Sequence, residues 1–145
     1  MDSTAIINAS PLIFLSRGRH LSLLQDFACP VLVPDAVAAE IRVGLPGDPA
    51  VLALTQTPWL NVIPVSNIPD VIREWGLGPG ESSVLALAQA SPGTDAIVDD
   101  LAARRCAAAL SIPVRGTLGI VLTAKRRGLI RFARPVMEDL IQAGL

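Results

Sequence analysis

The sequence has no tyrosine, one histidine, two cysteines and only 3% aromatic residues. So sparse an aromatic set gives single-stranded nucleic acid no stacking platform to follow, and Trp59 and Trp75 are expected to serve packing instead. His20, expected within an amphipathic helix, leaves little material for a histidine-dependent triad or a zinc site. Cys29 and Cys106 lack metal-like spacing and sit among apolar neighbours, which suits two buried free thiols in a reducing compartment. Long apolar runs are missing too. The segment "AIINASPLIFL" is interrupted by Asn8 and Pro11 and is too short to span a bilayer. Met1-Asp2-Ser3 lacks the basic start of a secretory signal, so a soluble, cytoplasmic protein with no membrane partner is expected. Charge of one sign is also lacking: 12 Lys and Arg against 13 Asp and Glu give a net charge of −1, which excludes a polycation.

What is present is apolar and aliphatic. Hydrophobic residues make up 51% of the 145 positions and charged residues 17%, which excludes disorder and fits one domain over residues 1–145. With few aromatics the core must be built from Ala, Leu, Val and Ile, a composition suited to strands covered on both faces. The basic residues are unevenly placed. From Arg104 onward there are eight of them, ending with Arg134, against only Glu138 and Asp139, so a local basic surface could face a polyanion.

Short β-like runs alternate with helical patterns. "TAIINA", "PVLV", "LNVIPV", "TDAIVD" and "IPVRG" read as strands. Between them lie "SPLIFLSRG", with Ser10 and Pro11 as N-cap and first helical residue, "HLSLLQDFA", "PDAVAAEIRVG", "DPAVLALTQT", "PDVIREWG", "PGESSVLALAQAS" and "DLAARRCAAAL". "TLGIVLTAKRRG" and "RPVMEDLIQAG" close the chain as helices. The alternation predicts an α/β fold, a three-layer α/β/α domain on a mostly parallel sheet.

In such a sheet ligands bind where strand C-termini meet helix N-termini. Asn8 and Asp99 are expected at strand ends, Glu81 in a first helical turn, and Glu40 one to two turns into its helix. Each has an ordinary structural explanation: Asp99 and Asp100 can cap a helix, and Glu81 can favour its dipole. Together they are harder to dismiss, because carboxylates converging on one edge repel, and a hard divalent cation relieves that repulsion. Phosphate-loop chemistry is poorly supported, since "GLGPGE" breaks the GxGxxG pattern and "GIVLTAK" lacks GxxxxGK[ST].

The ordered set "IINASPLIFLSRGRHLSLL", "VLVPDAVAAEI", "GPGESSVLALA", "AIVDDLAARRCAAAL" and "VRGTLGIVLTAKRRGLI" resembles the PIN-domain proteins over nearly the whole chain. It looks closest to a prokaryotic branch related to VapC-type toxin ribonucleases. The resemblance implies a PIN-like fold and an Mg²⁺- or Mn²⁺-dependent endoribonuclease, with RNA as substrate, a protein antitoxin as partner and a homodimer as assembly. It implies an acidic metal site at Glu40, Glu81 and Asp99, with Asp100 a neighbour. The first position, an aspartate in most PIN nucleases, is Asn8 here, which keeps a carbonyl oxygen but removes one charge. Ser10 matches a hydroxyl that supports the first acid, and Arg104, Arg105 and Lys125 are the candidates for holding the RNA backbone. The alternative is a catalytically weakened PIN-like module that binds RNA or protein. A receiver-like phosphoacceptor would need its paired acids after the first strand, whereas Asp99 and Asp100 come late.

Overall fold

The computed structural model describes residues 3–145. Five strands form one parallel sheet: β1 (Ala5–Ile7), β2 (Val31–Pro34), β3 (Leu60–Ile63), β4 (Asp95–Ile97) and β5 (Val114–Arg115), in the order β3-β2-β1-β4-β5. Strand burial agrees with this order. All three residues of β1 are fully buried, as a central strand covered on both faces requires. The edge strands instead carry Asn61 and Arg115 to the surface, which discourages pairing with another chain.

Nine helices lie among the described residues: α1 (Ala9–Arg17), α2 (Ser22–Phe27), α3 (Asp35–Arg42), α4 (Pro49–Gln56), α5 (Asp70–Arg73), α6 (Pro79–Ala90), α7 (Leu101–Ala109), α8 (Thr117–Arg126) and α9 (Ala133–Gln142). Helix α1 packs on α4, α8 and α9, and α2 on α8, while α6 lies against β1, β2 and β4 with α5 and α7 beside it. Between these layers Leu12, Leu15, Leu24, Leu85, Ile120 and Leu140 are almost wholly excluded from water. Each such side chain contributes about 1.5–3 kcal/mol by burial. Central α6 can be this apolar because its buried serines are satisfied locally; Ser83 Oγ donates to the Pro79 carbonyl at 2.8 Å.

Helix α4 opens on Asp48, whose Oδ1 accepts the Ala50 N–H at 2.9 Å. Its Oδ2 accepts from Arg17 Nη2 at 2.6 Å and Nε at 3.0 Å, clamping the end of α1 to the start of α4. The Arg17 hydrogen bond and, to a lesser degree, the Ala50 amide hold the Asp48 carboxyl below the ordinary carboxylate range against the opposing effect of burial.

Four local expectations are corrected. Helix α1 begins at Ala9 with Asn8 as its N-cap residue, so Ser10 lies in the first turn and Pro11 is the third helical residue, where the missing N–H is one that has no intrahelical acceptor. His20 lies between α1 and α2, where Nε2 meets Asp139 Oδ2 at 2.8 Å and ties that turn to α9. Cys29 is exposed at the turn before β2, while Cys106 is buried in α7, where desolvation raises its thiol pKa. Trp59 packs against the core as expected, but Trp75, past the short α5, is 41% exposed.

Candidate active site

The strand order reverses direction between β1 and β4, so their C-terminal ends open the crevice where a parallel sheet binds ligands. Asn8 follows β1 directly. Its N–H donates to the Ile97 carbonyl at 3.0 Å, which pins the two strand ends together. Its side chain is 5% exposed, and Oδ1 is buried without a hydrogen-bond partner. An orphaned buried amide oxygen costs about 1–3 kcal/mol, so this one asks for a hydrogen-bond donor or a cation as partner.

Glu40, on the outer part of α3, reaches the same spot because α3 packs on α6. Gly80, the second residue of α6, is where they meet. A Cβ built on Gly80 would overlap the Glu40 carboxylate and stand 3.3 Å from Asn8 Oδ1. The missing side chain therefore leaves the opening that the acid and the amide share.

Glu81 starts on the next residue, but its Oε2 accepts the Gly78 N–H at 3.2 Å, the return half of a capping box. Asp99 lies just beyond β4 and is occupied as well: Oδ1 accepts the Thr117 N–H at 2.7 Å and Oδ2 the Thr117 hydroxyl at 2.6 Å. It thereby anchors the positive end of α8. Gly116 leaves room for this contact. A Cβ there would stand 2.9 Å from Asp99 Oδ1 and 2.7 Å from Arg104 Nη1, so the Arg104 guanidinium and the Asp99 carboxylate flank one glycine. Asp100 is the N-cap of α7, its Oδ2 accepting the Ala103 N–H at 2.9 Å.

The structure thus joins the expected residues in two groups, Asn8 with Glu40 and Asp99 with Arg104. Among the described residues no three Asp, Glu, His or Cys side chains are grouped to hold a metal ion. Local donors explain the separation, since Gly78 and Thr117 draw Glu81 and Asp99 onto helix ends that compete for carboxylates. Ser10, Arg105 and Lys125 are exposed. Gly80, Gly116 and Thr117 were missed in the sequence. A glycine inside the first turn of "PGES" and the "GT" that opens a helix after a strand were their available signals.

A parallel α/β/α sheet with acids at its reversal point is the nuclease-type architecture of PIN domains. The chain belongs to the DUF3368 family of PIN domains, whose profile matches residues 4–145. PIN domains are generally nucleases that act on nucleic acid and use divalent metals. No curated protein matches the chain.

Proposed function

We propose that this chain is an Mg²⁺- or Mn²⁺-dependent endoribonuclease, the toxin of a toxin–antitoxin pair of the VapC type. Residues 1–145 form its one domain, and it works in the cytoplasm as a homodimer neutralised by a protein antitoxin. The observation that carries the reading is Asn8 Oδ1, buried and unpartnered beside the Glu40 carboxylate at the switch point of the sheet. An unsatisfied carbonyl oxygen next to a carboxylate, in an opening that a single methyl would fill, fits a hard cation with oxygen ligands.

Asn8 and Glu40 would hold that cation, with Glu81 and Asp99 as the further oxygen donors of the same edge. A divalent ion bound there supplies Lewis-acid activation of water and neutralises charge developing on the phosphate. The chain's own groups do the rest. Thr117 fixes the orientation of Asp99 through two hydrogen bonds. Arg104 presents its guanidinium at the Gly116 opening, where its fork suits a phosphodiester. By the family resemblance Ser10, exposed in the first turn of α1, would support the Asn8 corner, and Asp100 caps α7, the helix that carries Arg104. Exposed Arg105 and Lys125 add weaker backbone contacts whose strength depends on salt.

Cleavage of a structured RNA pool, with Mg²⁺ or Mn²⁺ and with chelator, tests the proposal. Metal-dependent cleavage that Glu40→Gln abolishes is the expected result. RNA binding without cleavage under every metal condition would instead favour the weakened binding module, the reading suggested by Asn8 and by the separated carboxylates.

A further inference from the structure

We propose that the cleft at the far end of α8 is a second phosphate site, which grips the RNA backbone away from the candidate active site. The inference rests on the nucleic-acid reading above. The cleft has a volume of about 380 Å³, and Asp95, Arg115, Arg126 and Arg127 are among its lining residues.

The sheet register explains how these residues meet. Arg115 pairs with Ile97, and Asp95 lies two residues earlier on β4, so both side chains leave the same face of the sheet. The stem of Arg115 packs against the first turn of α8, its Cδ 3.7 Å and its Cβ 3.9 Å from where a Cβ of Gly119 would stand. Arg115 lines the cleft together with Arg126, in the last turn of that helix, and Arg127, its C-cap residue. Arg127 is held in place by neutral groups: Nη1 donates to the Asp26 carbonyl at 2.9 Å, and the guanidinium lies 5.9 Å from the centre of the Phe27 ring. Arg126 makes only a long 3.4 Å contact to the Thr123 hydroxyl.

Among the described residues none of the three arginines is in an ion pair, although Asp95 lines the same cleft. Three guanidiniums against one carboxylate leave an excess of positive charge that a polyatomic anion relieves. The planar fork of arginine matches phosphate geometry better than a point charge would. Placement favours a backbone phosphate over a free ion. Helix α8 begins on Asp99 and ends at this cleft, ten residues that span about 15 Å at the helical rise. One strand of RNA can therefore lie on both ends of the same helix.

The test compares single-stranded RNA of about 16 nucleotides with RNA of about 4 nucleotides, the range of single-strand site sizes, binding in chelator so that nothing is cut. Replacing Arg115 and Arg126 together by Gln is expected to weaken the long RNA on the order of tenfold and to flatten its log–log salt slope by about 1.4, two contacts at about 0.7 each. Binding of the short RNA stays unchanged. Asp95→Asn is expected to tighten the long RNA, an opposite effect that a misfolded variant cannot produce. Unchanged affinity and slope for the long RNA overturn the cleft and leave the ribonuclease reading standing, as does equal weakening of both RNAs. Displacement of the long RNA by poly-glutamate at equal charge also overturns it, in favour of an acidic protein partner. Failure of the unaltered protein to bind either RNA removes the nucleic-acid reading and the cleft with it.

Discussion

Replacing Gly80 by alanine separates the site from the fold. Gly80 sits in the first turn of α6 with no positive φ, so alanine is conformationally favoured there. In a helix interior the exchange gains about 0.8–1 kcal/mol, and at the second helical residue the gain is smaller. The new methyl would overlap the Glu40 carboxylate and stand 3.3 Å from Asn8 Oδ1. Glu40 is exposed and its carboxylate ends a flexible side chain, so it swings into solvent at little cost. Asn8 is 5% exposed and cannot follow. For a chain of this size 1 kcal/mol moves Tm by about 2–4 °C. Tm is therefore expected to stay level or rise by up to about 3 °C. Mn²⁺ affinity should fall about tenfold or more, the loss typical of a disturbed metal shell, and cleavage with it. Thermal denaturation, calorimetric Mn²⁺ titration and RNA cleavage on one preparation provide the readouts. Unchanged metal affinity and cleavage would refute the shared opening. A Tm loss of more than about 5 °C would show that Gly80 serves packing rather than the site.

Asp100→Ala removes an N-cap and should cost about 1 kcal/mol while leaving cleavage intact, whereas Asp99→Asn should abolish cleavage; thermal melts and activity assays on both variants check the contrast. Glu81→Gln keeps an oxygen for the Gly78 N–H, so it should change stability by less than about 1 kcal/mol yet remove activity, and retained cleavage would leave Glu81 as a cap alone. Because Asp48 has a lowered carboxyl pKa in the folded state, its Arg17 interaction contributes fully above the unfolded value of 3.8 and is lost as pH falls through the lower folded value. Asp48→Asn should thus cost about 0.2–1 kcal/mol near neutral pH and flatten the acid limb of the Tm–pH curve, an effect absent if the ion pair contributes nothing.

The order of strands and helices was legible because each apolar run is bounded by Pro, Gly or a capping acid. "TDAIVD" and "PGESSVLALAQAS" fall almost where β4 and α6 do. The parallel sheet followed from aliphatic strands without alternation, and the position of Asn8 and Asp99 at its edge followed from the sheet. Finer placement did not. A cap and a metal ligand ask for the same residue types at the same helix ends, so nothing in "IVDD" separates Asp99, which holds Thr117, from Asp100, which holds Ala103. The meeting of Glu40 with Asn8 depends on α3 crossing α6 at a glycine, a tertiary contact between residues far apart in sequence. Cys29 and Trp75 reached the surface because turns at those positions override local hydrophobicity.

The most direct measurement is calorimetric titration of Mn²⁺ into the unaltered protein and into Asn8→Asp. Asn8 presents a neutral oxygen beside Glu40, and the exchange adds a full charge at the point where that oxygen is now unpartnered. Even a well-screened added charge should tighten binding about tenfold or more. Weak Mn²⁺ binding by the unaltered protein and clearly tighter binding by Asn8→Asp, with one ion per chain in each, is the result expected. Equal affinity in the two forms would contradict a cation site at Asn8 and Glu40.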